Sequence, residues 1–232
     1  MRANFNEALG EIDDLCERLY FLETGDFPDY EDDEDIMKWL RKQWQDTCEY
    51  SLYLQFEHAY HHLNFGWNCR HYPKDRIVAC GGKDCEKWEK FPKDWPEFWP
   101  SINNFKGKVR PTWNGKLSYL TMRIPLAEVL MALGNVIDGI DLTFPECAAN
   151  RCMDDVKSNC GPITELSLKE SLRFIYAHLN EAWNSRKLTM DKAVLVTKQT
   201  MMRHRQYPRA FTKFWPKEYK IQSSWSWDAN DD

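Results

Sequence analysis

Slid against itself by 116 residues, the chain lays Glu49 to Pro100 on Glu165 to Pro216 without a gap, with about 16 identities over roughly 52 positions. A repeat of that length constrains the fold more than composition does, because each copy must build the same supersecondary unit and hide the same apolar face. The identities cluster. Tyr60, His62, Leu63, Asn64, Trp67, Asn68 and Arg70 fall on Tyr176, His178, Leu179, Asn180, Trp183, Asn184 and Arg186. Phe91-Pro92 with Trp95, Phe98, Trp99 and Pro100 falls on Tyr207-Pro208 with Phe211, Phe214, Trp215 and Pro216. Upstream the offset becomes 117, aligning Leu9, Glu11, Ile12, Phe27 and Pro28 with Leu126, Glu128, Val129, Phe144 and Pro145. The expected organisation is therefore copy 1 over 1–116 and copy 2 over 117–232, the latter with a polar C-terminal tail from about residue 221. Two copies are too few for a solenoid, so the natural arrangement is a pseudo-two-fold pair of bundles sharing an apolar interface.

The periodicity is helical in both copies. Asn6 to Leu22 and Pro125 to Ile140 place apolar residues at three- and four-residue spacing, and a Phe-Pro loop follows each. Second helices are expected near Asp35 to Gln45 and Glu146 to Lys157. After Gly161-Pro162, Thr164 is placed to cap a third helix reaching about Ser185, matched in copy 1 by roughly Thr47 to Cys69. A fourth helix reads cleanly over Asp191 to Arg205, while Gly81-Gly82 breaks its counterpart. No strand-like alternation competes, so the chain reads as all-α.

With 43% hydrophobic residues and 11 Trp among 232 residues, the chain has the material for a packed core, which excludes a disordered polymer. Met1 to Leu22 carries acids throughout and lacks the basic and apolar regions of a secretory signal, so a cytoplasmic protein is expected. The most apolar stretch, Ile124 to Ile140, contains Glu128, Asn135 and Asp138 and is shorter than the ~20 residues of a span, so no membrane association is expected. In a reducing compartment the eight cysteines read as free thiols or metal ligands.

The net charge of -5 is unevenly spread. Asp29, Glu31, Asp32, Asp33, Glu34 and Asp35 crowd one loop, whereas Arg203, Arg205 and Arg209 belong to a basic far end interleaved with Tyr207, Phe211 and Phe214. The first set can dock a basic protein surface; the second can hold a nucleic-acid backbone while rings stack on bases. On a 100° wheel Leu52, Phe56, Tyr60, Leu63, Trp67 and Arg70 form the buried stripe, with Asn64 and Asn68 along one edge and His62 on the opposite flank. The amides are expected to satisfy the backbone of a neighbouring loop, and Arg70 and Arg186 to meet helix C-terminal carbonyls.

Metal chemistry has two sequence candidates. Cys69, His71, Cys80 and Cys85 have zinc-like spacing, but no cysteine recurs at its matched position, so stoichiometric zinc and other cofactors are not expected. Glu57 with His61, and His58 with His62, stand at i, i+4 and can chelate a divalent ion, although copy 2 keeps only His178 of that group. There is no Gly-rich phosphate loop, nucleophile elbow or His-Glu-x-x-His segment.

Arg173 and His178, with four residues between them, resemble the arginine-x4-6-histidine motif of the HEPN ribonucleases. That resemblance implies an all-α bundle with a metal-independent RNA-cleaving site built between two bundles, Arg173 and His178 being the catalytic pair. Copy 1 departs from it, with Glu57 where the arginine would stand. Residues common to both copies otherwise look like framework, and those that differ are surface charges and cysteines. The expectation is a non-enzymatic binding protein with a protein partner, nucleic acid being the second partner class and the HEPN-like ribonuclease the competing function.

Overall fold

The computed structural model describes residues 1–27, 34–45, 47–72, 86–90, 119–143 and 161–187. They form five long helices: α1 (Arg2–Thr24), α2 (Glu34–Gln45), α3 (Glu49–Asn68), α4 (Tyr119–Thr143) and α5 (Glu165–Ser185). Among the described residues there is no strand, and the protein is all-α. The expected helices over Glu146 to Lys157 and Asp191 to Arg205, both aromatic segments and the boundary between copies lie outside the described residues.

Local sequence sets most of these boundaries. Gly25 adopts the left-handed conformation (φ 81°) that L side chains avoid, and its N–H donates to Phe21 O, closing α1. Thr164 caps α5 as expected: its Oγ1 accepts from Ser167 N–H, and Ser167 Oγ accepts from Thr164 N–H at 2.9 Å. Cys48 occupies the same position before α3, and Ser51 Oγ accepts from its N–H at 2.9 Å.

α4 is longer than its sequence suggests. Proline favours the first turn of a helix, which makes Pro125 look like a start, yet the helix begins at Tyr119 and Pro125 lies inside it. Pro125 has no N–H to offer the carbonyl of Thr121, four residues back. Ser185, at the end of α5, supplies that donor: its Oγ donates to Thr121 O at 2.8 Å, and Thr121 Oγ1 donates to Ser185 O at 2.9 Å. Both residues are buried, so these bonds replace ones that water cannot make.

α1 pairs with α3, α4 pairs with α5, and α1 and α4 pack together between them. Each pairing is antiparallel. His58 and His62 of α3 meet Glu11 and Asn4 of α1, and the Arg2 and Glu23 ends of α1 form ion pairs with Asp141 and Arg123 of α4. A single core joins all four helices, with Phe5, Ile12, Leu15, Phe56, Leu63, Val129, Leu133, Ile137, Leu172 and Leu179 among its members. α4 is long and apolar enough by composition to cross a membrane; here its apolar residues Met122, Leu126, Val129, Val136 and Ile140 belong to that core.

α1 and α3 cross where Gly66 lets the helices approach. A Cβ there would stand 2.6 Å from Cε1 of the fully buried Phe5 ring. The residues 117 and 116 positions further on are Met122 and Ala182, a slimmer side chain and a methyl.

Contacts between the two hairpins come in matched sets. Tyr60 OH donates to Asn180 Oδ1, and Tyr176 OH donates to Asn64 Oδ1, the two rings stacking at 5.8 Å between centroids. Arg70 reaches Glu165 Oε1 at 2.7 Å, and Arg186 reaches Glu49 Oε1 at 2.7 Å. Each guanidinium also lies over the tryptophan three residues before it and donates to that residue's carbonyl, Arg70 on Trp67 and Arg186 on Trp183. The expected role of both arginines at helix C-termini is therefore observed.

Candidate functional site

The outer flank of α3 and the turn over residues 86–90 enclose a cleft of about 520 Å³ lined by Glu57, His58, His61, His62, Glu86, Glu89 and Lys90. The turn is fastened from below. Asn64 Nδ2 donates to Glu89 O at 2.7 Å, while Asn68 Nδ2 donates to Trp88 O at 2.8 Å and to Lys90 O at 2.7 Å. Trp88 then packs against Phe65, Tyr72 and the buried Cys69. The edge asparagines thus serve the backbone of a crossing segment, as their spacing on the buried stripe led one to expect.

All three imidazoles in the cleft have Nδ1 beside an oxygen from another element. His58 Nδ1 is 3.4 Å from Glu11 Oε1, His61 Nδ1 is 3.8 Å from Glu89 Oε1, and His62 Nδ1 is 3.5 Å from Asn4 Oδ1. The His61 and His62 rings meet edge to face at 4.9 Å. Burial pushes the His62 ring down to about 4, helped by repulsion from His61 and His58. His61 is lowered for the same first reason, burial, with Glu89 opposing and His58 assisting. Both rings are therefore neutral at neutral pH, with a nitrogen lone pair to offer. No three possible ligands among the described residues converge on one point as the side chains stand.

The corresponding flank of α5 is chemically different. Arg173, Phe174 and Ala177 replace Glu57, His58 and His61, and only His178 matches. The His178 ring is buried, lies tilted against Phe174 with centroids 4.2 Å apart, and has Nδ1 3.7 Å from Glu181 Oε2. His62 and His178 each lie within their own hairpin, whereas Tyr60, Tyr176 and the asparagines they meet form the contact between hairpins.

Of the zinc-like set, Cys69 is buried in the small aromatic cluster and burial raises its thiol pKa. His71 faces Glu165 at 3.7 Å, and Cys80 and Cys85 lie outside the described residues. Cys16, Cys48 and Cys69 are free thiols. Of the charged candidates, Glu34 and Asp35 open α2 in solvent, each 3.9 Å from Lys38 Nζ. Asp29, Glu31, Asp32, Asp33, Arg203, Arg205 and Arg209 lie outside the described residues.

Sequence reasoning found the i, i+4 pairs of the cleft but missed Glu86, Glu89 and Lys90. The glutamates stand three residues apart, a spacing that brings them to one side only once the segment turns. That turn is fixed by the asparagine bonds, which no local pattern reveals. Comparison with protein-family models, curated proteins and solved structures finds no match for the chain.

Proposed function

We propose that the chain is a tandem duplication with pseudo-two-fold symmetry, and that it acts in the cytoplasm as a non-enzymatic scaffold docking a basic protein surface through the acidic start of α2. The duplication is supported by capped helix starts at Glu49 and Glu165, 116 apart, the same offset as in the sequence. Matched pairs joining the hairpins use the shared Tyr, Asn, Trp, Arg and Glu, which leaves the divergent residues for the outside.

The observation that carries the docking proposal is the exposure of Ile36 (51%) and Trp39 (60%), one helical turn apart and beside Glu34 and Asp35. α2 buries Trp44 in an aromatic cluster with Phe21 and Phe27, and its Arg41 lies over the Phe27 ring. A large exposed apolar pair on an acidic helix suits a recess rimmed by Lys or Arg, with the ring supplying affinity and the acids orientation. Asp29, Glu31, Asp32 and Asp33 extend the same charge in sequence. Arg203, Arg205 and Arg209 bring the opposite charge together in sequence only.

The test is affinity capture from the native host with wild type, Trp39→Ala and a Glu34→Lys/Asp35→Lys double variant, followed by direct binding to the captured basic protein. Wild type should bind with strong salt dependence, and both variants should lose at least tenfold. Equal binding by all three sinks the docking proposal. Structured RNA incubated with the protein in EDTA separates the ribonuclease alternative: cleavage abolished by His178→Ala would establish it, and the scaffold reading expects no cleavage.

A further inference from the structure

We propose that the cleft between α3 and the turn over residues 86–90 is a site for a divalent transition-metal ion, bound by imidazole nitrogens of His58, His61 and His62 with Glu57 or Glu86 completing the set. The site goes beyond the docking surface and is independent of it. Metal-ligating imidazoles ordinarily give their second nitrogen to a carboxylate or carbonyl oxygen, which fixes the tautomer and aims the ring. Here three neighbouring rings all have Nδ1 turned to such an oxygen, Glu11, Glu89 and Asn4, supplied by α1 and the turn. Among the described residues the polar contacts of these rings engage Nδ1, so Nε2 is the ligand atom.

Spacing supplies the chelate. His58 with His62 and Glu57 with His61 are two i, i+4 pairs on adjoining tracks of one helix, and Glu86 faces them across the cleft. Weighed from sequence alone, each pair was a weak two-ligand candidate; the fold places both in one cavity and adds the turn's glutamates. Because no three groups converge as the side chains stand, capture needs the exposed His58 and Glu86 side chains to turn onto the ion, His58 giving up its contact with Glu11, so that His61 and His62 are the rings that keep an oxygen behind them. A donor set of imidazole and carboxylate favours Zn²⁺, Ni²⁺, Cu²⁺ or Co²⁺ over Mg²⁺ and Ca²⁺, which prefer all-oxygen shells. The site is private to copy 1, since Phe174 and Ala177 at the matched positions of copy 2 cannot coordinate.

The experiment is calorimetric titration of the full chain, stripped with EDTA and then dialysed free of it, with Zn²⁺ and separately with Ni²⁺. Absorption of the Co²⁺ form is recorded in parallel. Expected are one saturable ion per chain, no competition by excess Mg²⁺, and at least a tenfold loss of affinity in a His58→Gln/His61→Gln variant. Glu89→Ala, which removes the oxygen behind His61, should weaken binding by roughly 10- to 100-fold. His178→Gln should bind as wild type does, and far-UV circular dichroism verifies the fold of each variant. Absence of saturable binding overturns the proposal. So does binding that the folded His58→Gln/His61→Gln variant leaves unchanged, or a Co²⁺ spectrum with thiolate charge-transfer bands, which would assign the ion to cysteines.

Discussion

Tyr60 of α3 donates its phenolic proton to Asn180 Oδ1 of α5 at 2.5 Å, in a region where both side chains are fully buried. Burial holds the Tyr60 hydroxyl well above the ordinary tyrosine range, with the neighbouring Tyr176 adding to it, so this group is a donor at every accessible pH. Tyr60→Phe would leave Oδ1 of Asn180 without that donor, and denaturant unfolding should register a loss of about 1–3 kcal/mol. Tyr176→Phe should cost a similar amount through Asn64. Because the rings stack at 5.8 Å, the double variant should depart from additivity; a Tyr60→Phe protein as stable as wild type would remove the bond from the account.

Asn64 and Asn68 both secure the turn over residues 86–90, but only Asn64 also accepts a bond from Tyr176. Asn64→Ala should therefore be the more destabilising, by roughly 1–3 kcal/mol, and should also weaken the joint between hairpins. Asn68→Ala should loosen the turn with little effect on that joint. Thermal melts rank the two, and amide exchange at Trp88 to Lys90 reports the turn. Melting like wild type by both variants would mean that these amides are not framework.

Gly66→Ala forces a methyl to within 2.6 Å of the Phe5 ring, and overpacking of this kind costs about 1–3 kcal/mol. The remedy is present in the other half of the chain. Combining Gly66→Ala with Phe5→Met reproduces the Ala182 and Met122 combination, and the pair should be more stable than the sum of the single changes allows. A double-mutant cycle in urea gives the coupling; additivity within error would contradict the steric argument.

The ion pairs that join the hairpins should make the protein acid-sensitive. Hydrogen bonding from Arg70 lowers the Glu165 carboxyl below its ordinary value; at Glu49, burial works in the opposite direction but Lys187 and Arg186 outweigh it. A carboxyl with a depressed folded-state pKa binds fewer protons folded than unfolded. Its contribution is present above the unfolded value of about 4.3 and is lost as pH falls through the folded one. In a Glu49→Gln/Glu165→Gln variant, stability measured from pH 6 down to pH 3 should decline less steeply than in wild type. Both glutamates are partly exposed, so salt should shrink the difference.

Helix positions were legible wherever a boundary is a local event. Thr164 before Glu165 is a cap that reads at sight, whereas the start read at roughly Thr47 falls two residues early, Cys48 being the cap and Glu49 the first helical residue. The start of α4 was not legible, because a proline that opens a helix and one tolerated inside it look alike until the residue satisfying its missing bond is known. The site divided in the same way. His58, His61 and His62 with Glu57 emerge from spacing on one helix, whereas Glu11, Asn4 and Glu89, which orient the rings, come from elements whose approach depends on tertiary packing.

The Thr121–Ser185 exchange makes one helix conditional on another. The opening turn of α4 has a backbone deficiency built into its sequence at Pro125, and its supplement arrives 64 residues later in the chain. Until α5 has formed through its last residue, the first turn of α4 lacks the Ser185 hydroxyl that donates to Thr121 O in the folded chain. The second hairpin therefore closes like a clasp, its far end completing what its beginning cannot finish alone, so that opening at either terminus is felt as one event.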